Sequence, residues 1–141
     1  MNSPCGLTGE VANFLLVFDT GEELVSALTS FAEKEKVSSA FFNGLGAVDR
    51  IKVGVYSEHL QSYLYTEYRI HLEISSLTGN IFQFEGKPFV HAHGVFSGNG
   101  GMSFGGHIAE AIVSPTCEIH LSMMEIKARR TGSLPLPRIT E

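Results

Sequence analysis

Cysteine, basic residues and long apolar runs are all scarce in this chain of 141 residues, and each scarcity narrows what the protein does. Cys5 and Cys117 lie far apart, form no C-x-x-C pair and follow no recognisable secretion signal, which favours two free thiols in a reducing cytosol. Lysine and arginine number 10 against 15 aspartates and glutamates, a formal charge of -5. That balance argues against a stand-alone nucleic-acid binder, because nonspecific affinity for phosphates rests on a basic surface, although a local basic patch is compatible with it. No apolar run approaches the roughly 20 residues needed to span a bilayer, so the expectation is a soluble protein. The length suits one domain with a core of its own, so any metal serves function rather than folding.

Histidine is what the chain does have in a pattern. Phe89 to Phe96 reads as a strand rich in β-formers, Gly98 to Gly101 as a turn, and Met102 to Ile108 as the returning strand. Side chains alternate across a strand, so His91 and His93 share one face with Phe89 and Val95. A turn centred near Gly100 sets Phe96 opposite Phe104 and His93 opposite His107, where directly opposed Cβ atoms are about 4.5–5.5 Å apart. Three neutral imidazoles at that spacing suit a divalent ion such as Zn²⁺, held at about 2.0–2.1 Å with a fourth position open. A slip of one residue in the register would turn His107 to the other face. The alternative is three histidines packed or hydrogen-bonded on a half-buried sheet.

Elsewhere the chain alternates short strand patterns with one helical one. Residues 1–10 read as a loose lead-in, and Val11 to Phe18 as a first strand. Thr20 and Glu23 form a T-x-x-E capping box ahead of a helical stripe of Leu24, Val25, Leu28, Phe31 and Ala32. Val37 to Phe42 leads into Asn43-Gly44-Leu45-Gly46-Ala47, which reads as a tight turn or bulge; the third glycine of a dinucleotide fingerprint is missing. Ser57 to Thr66 reads as a loop or irregular edge, with Tyr63, Tyr65 and Tyr68 lining a pocket or packing at a sheet edge. Arg69 to Leu77 places Ile70, Leu72 and Ile74 on one face and Glu73 on the other, where Glu73 is either a carboxylate for a nearby metal or an ordinary exposed charge. Gly79 and Asn80 mark a bend, Glu85-Gly86-Lys87 a turn, and Pro115 an interruption before a last strand, Cys117 to Met123, with His120 exposed. Such consecutive strands imply an antiparallel meander. Lys127, Arg129 and Arg130 then read as a solvated terminus.

Four motifs in order carry a resemblance: FDTGEEL, FFNGLGAV, LEISSLTGNI, and GKPFVHAHGVFS followed by FGGHIAEA. Together, over roughly Asn13 to Met123, the chain resembles the plants and prokaryotes conserved (PPC) domain family in its prokaryotic stand-alone form. The resemblance implies an α+β fold, an antiparallel sheet with a packed helix, assembled as a homotrimer. It also implies a metal site at His91, His93 and His107. Plant members join this domain to A/T-hooks with an R-G-R-P core, and this chain has none; Arg129-Arg130-Thr131-Gly132 is only superficially similar. DNA association is therefore carried by the family label and not by net charge.

The resulting expectation is residues 11–126 as one domain, with 127–141 as a tail. Its function is read as a trimeric regulatory or DNA-associated binding module, with a zinc-type site that takes a small ligand. The alternative is a metal-dependent hydrolase or lyase using the same histidines, with Glu73 as acid or base.

Overall fold

The computed structural model describes residues 12–140, so the lead-in read over residues 1–10, with Cys5, lies outside the described residues. Eight strands and one helix follow in the order β1 (Ala12–Asp19), α1 (Leu24–Lys34), β2 (Ser39–Ser57), β3 (Ser62–Tyr68), β4 (Leu72–Phe84), β5 (Lys87–Ser97), β6 (Ser103–Met123), β7 (Arg129–Thr131) and β8 (Arg138–Thr140). A single 3₁₀ turn, Asn99–Gly101, joins β5 to β6. The result is one mainly antiparallel sheet carrying one short helix.

The strands do not form a meander. β2 and β6 run for 19 and 21 residues, long enough to find partners on both edges. β2 pairs with β6, β6 with β5, β5 with β4 and β4 again with β2, so four strands close a ring. Bulges let two such long strands curve, because each extra residue bends its strand. Three register shifts in the β2–β6 ladder, at Gly46/Val48, Val48/Arg50 and Lys52/Val53, supply the curvature. The expected bulge at Gly44–Gly46 falls on the other edge of β2, in its ladder with β4: the strand runs on through it, and Gly46 adopts φ +151 with the Cys117 backbone against it.

Inside the ring lie Phe96, Ile51, Leu72, Leu77, Ile81, Ile119 and Leu121, all essentially without exposure. Helix α1 lies across β5 and β6 and adds Leu24, Leu28 and Ala32 to this core, with Phe14 meeting Phe31 edge to face at 5.2 Å. Its stripe is the expected one. Its cap is not: Glu23 is the N-cap residue and accepts from the Val25 and Ser26 amides at 3.1 and 2.8 Å. Thr20 instead donates to the Pro115 carbonyl at 3.1 Å. A carboxylate at that place satisfies two orphan amides and favours the positive end of the helix dipole.

Three other sequence readings are corrected by pairing. The stretch read as a loop, Ser57 to Thr66, holds most of β3, which pairs with β2 from Ile51↔Tyr68 to Ser57↔Ser62. Gly79 is no bend but the middle of β4, where an added Cβ would overlap Phe42 Cζ and stand 2.5 Å from the His91 carbonyl oxygen. Pro115 does not end a strand either; β6 passes through it between Val113↔Val48 and Thr116↔Asp19, where Pro115 itself has no ladder partner and a missing N–H loses nothing. No helix among the described residues is long and apolar enough to cross a membrane.

Candidate metal centre

The β5–β6 hairpin sets the site. Its pairing runs Ser97↔Ser103, Phe96↔Phe104, Val95↔Gly105, Gly94↔Gly106 and His93↔His107, the register expected from a turn at Gly100. Ala92, Gly94 and Phe96 turn into the core, so His91 and His93 face outward beside His107. One potential ligand nitrogen from each of the three lies within 4.8 Å of the others. Two glycines make that approach possible. At Gly105 a Cβ would overlap the Gly94 carbonyl, and at Gly106, held at φ +152, it would stand 2.5 Å from the Gly54 carbonyl oxygen.

Burial and neighbouring charge keep His91 and His107 neutral. Burial, then the Arg130 guanidinium, then His93 bring His91 down to about 4 from the ordinary 6.5. Burial, then His91, His93 and Arg130 bring His107 down to about 4 as well. Near neutral pH both rings are therefore uncharged, and the neutral imidazole, with one ring-nitrogen lone pair, is the form that ligates metal. His91 Nε2 and His93 Nε2 stand 3.2 Å apart. Two nitrogens on one tetrahedral ion stand about 3.3 Å apart, so this pair already has the spacing. His107 Nδ1 is buried with no hydrogen-bond partner, a cost that a bound ion would remove. The residues fit a divalent metal.

The surroundings come from strands that sequence reading placed loosely. Tyr63 of β3 stacks on His107 with ring centroids 4.3 Å apart and packs on Tyr56 and Tyr65, fixing the imidazole plane. Desolvation raises the Tyr63 phenol above its ordinary value despite the opposing charge of Arg130. The aromatic alternation Tyr63-x-Tyr65 was the available signal, but without a partner strand it could not be aimed. On the open side, Phe41, Thr78, Gly79, Asn80, His91 and His93 line a groove of about 250 Å³.

Two sequence expectations about the neighbourhood change. Glu73 pairs with Ser97 and Ala47 near the start of β4, whereas Thr78 and Asn80 are the residues opposite His93 and His91. Thr78 lies five positions beyond Glu73, roughly 16 Å at about 3.3 Å per residue, so Glu73 is not brought to the histidines. Arg130, read as part of a solvated terminus, is only 6% exposed. It donates through Nη1 to the Pro137 carbonyl at 2.7 Å, and its Nη2 lies 2.8 Å from Asn80 Oδ1 and 3.2 Å from His91 Nδ1. A cluster of basic residues followed by glycine and proline carries no burial signal, which is why the sequence concealed it.

A closed four-strand ring with one helix and an outward trio of imidazoles defines a small β-rich domain with a candidate metal centre. The model of the Plants and Prokaryotes Conserved (PCC) domain matches residues 8–125, and the chain belongs to that family. Among solved structures it is similar to a plant- and prokaryote-conserved protein of Pyrococcus horikoshii, at 31% identity, a TM-score of 0.85 and 90% of each chain covered. It is also similar to a metal-containing protein of Archaeoglobus fulgidus, at 30% identity, a TM-score of 0.83 and 92% of each chain. A DNA-binding candidate from Ralstonia eutropha JMP134 shares 26% identity at a TM-score of 0.84, over 100% of this chain and 94% of the other. No curated protein matches the chain.

Proposed function

We propose that the chain is a homotrimeric regulatory binding module of the cytosol whose His91, His93 and His107 hold one divalent metal, zinc, with a small ligand entering beside it. The observation that carries the metal is the convergence of three imidazoles, each offering a nitrogen within 4.8 Å of the others, two of them held neutral. The metal-containing relative from Archaeoglobus fulgidus supports the same reading. A divalent ion bound there supplies a Lewis-acidic centre with an open position. The chain's own part is to aim the rings: Tyr63 stacks on His107, and the β5–β6 register sets His93 against His107. The groove past Phe41, Thr78 and Asn80 gives a small molecule access to His93.

Self-association is supported by apolar residues on the outer face of β1 and β2. Leu15 is 72% exposed and Leu45 60%, with Val17 and Phe41 also outward, and such a patch is costly to leave in water. DNA association rests on what relatives such as the Ralstonia eutropha protein are named for; the net charge of -5 gives it little electrostatic drive. The hydrolase or lyase reading loses Glu73, and among the described residues the ligand group holds imidazoles alone.

The test is metal content per chain by elemental mass spectrometry, on untagged protein purified without chelator, beside a His91→Ala/His93→Ala double variant. Near one metal per chain, lost in the variant while the oligomer persists, supports the module. No metal in either, even after zinc is added, overturns it.

A further inference from the structure

The contact between Arg130 and His91 runs opposite to the usual support of a metal-binding histidine. A ligating imidazole ordinarily donates its remote N–H to a carboxylate, carbonyl or water, which leaves the other nitrogen's lone pair for the ion. Here the remote nitrogen, His91 Nδ1, faces the guanidinium Nη2 at 3.2 Å. Arginine only donates and does not lose its proton, so Nδ1 must accept. In the neutral ring the proton is then on Nε2, which points at His93 Nε2 at 3.2 Å and donates to it. The order of donation is Arg130 to His91 to His93. With this order, His91 offers no lone pair to its two partners.

We propose that Arg130 is the residue that determines how tightly the three-histidine site holds a cation, by occupying the His91 Nδ1 lone pair and holding the His91 proton on the ligating nitrogen. This rests on the metal reading of the site. For His91 to present Nε2, its proton must move to Nδ1, where N–H would face N–H, so the guanidinium must withdraw. Asn80 is built to take its place: it is the cross-strand partner of His91, and its Oδ1 is the acceptor now engaged by the same Nη2. Arg130 belongs to β7, joined to β4 only at Phe84↔Arg130, and its Nη1 donates to the Pro137 carbonyl. Withdrawal would therefore loosen the strap from Arg129 to Thr140 that closes one side of the site, where Pro135, Leu136 and Pro137 share a cleft with Tyr63, His91 and His107. Arg130 is thus a positioning residue with two states, engaged with His91 or released.

Cobalt(II) and zinc affinities of the metal-stripped full chain, measured by competition with a chromophoric chelator, test this in wild type, Arg130→Gln and Arg130→Lys, with thermal unfolding as the folding control. The expected result is binding about tenfold tighter in R130Q and close to wild type in R130K, which keeps the cation. Long-range ¹H–¹⁵N correlation spectra of the metal-free wild type should show His91 protonated on Nε2. Should R130Q not fold, hydrogen exchange of wild type serves alone: amides of residues 129–140 should exchange faster at saturating metal. R130Q binding no tighter than wild type, His91 protonated on Nδ1, or an equally protected strap in the loaded protein would each overturn the proposal while leaving the metal site standing. Failure of every form to bind either ion overturns both.

Discussion

Alanine at Gly105 tests whether close strand contact is what assembles the histidines. The added methyl would overlap the Gly94 carbonyl oxygen and stand 3.0 Å from the Gly94 carbonyl carbon and the Val95 Cα. All three are backbone atoms of β5, so no side chain can rotate out of the way, and relief requires the strands to part by on the order of 1 Å. Overpacking of this kind costs about 1–3 kcal/mol, and a contact made wholly of backbone belongs at the top of that range, about 3 kcal/mol. Gly100 supplies the control. An alanine there meets nothing within 4 Å but inherits φ +78, a left-handed penalty of about 1 kcal/mol. Urea unfolding of the two variants reads the difference directly from their midpoints at constant slope. His93↔His107 is only two rungs from Val95↔Gly105, so Gly105→Ala should also weaken metal binding at least tenfold while Gly100→Ala leaves it unchanged. Equal costs in the two variants would refute the steric reasoning.

Other expectations follow from the same contacts. The metal-free protein should lose stability on acidification: His91 and His107 titrate near 4 when folded and near 6.5 when unfolded, so between those values the unfolded chain binds more protons. Both rings are half exposed, and after allowance for solvent screening the loss from pH 7 to 4 should be about 2 kcal/mol, shrinking in a His91→Gln/His107→Gln variant; a flat profile would refute it. Glu23→Ala removes acceptors from the Val25, Ser26 and Ala111 amides, the last tying the helix to β6, and should cost about 2 kcal/mol by calorimetry, against well under 1 for Thr20→Ala. Cys117 is fully buried, and burial followed by the nearby Glu118 charge pushes its thiol up to about 11, so peptide mapping should find it unalkylated at pH 8 until denaturant is added.

How much of this was legible in residue order depends on how far apart the interacting groups lie. The hairpin register was legible because period-two alternation and one glycine turn are local, and His93 opposite His107 follows from counting outward from Gly100. The helix stripe was legible for the same reason, whereas its cap was not: Thr20 and Glu23 both suit the motif, and Glu23 won because its carboxylate also reaches the Ala111 amide at 3.1 Å, 88 residues away. Gly44, Gly46 and Gly79, read as a turn, bulge or bend, proved to be points of close contact, since a missing Cβ gives the same signal in both. Gly79 is flat strand against Phe42, a partner no local window contains.

By itself, then, the sequence determined which side chains share a face, the family, and the three imidazoles, because each depends on short-range periodicity or on an ordered set of motifs. Only the tertiary structure decided that the sheet closes into a ring, that Tyr63 stacks on His107, that Glu73 sits near the start of β4 away from the histidines, and that Arg130 reaches His91. Those relations join residues separated by tens of positions. They arise when two long strands bend at bulges to pair on both edges, and no periodicity along the chain encodes where a bent strand brings its neighbours.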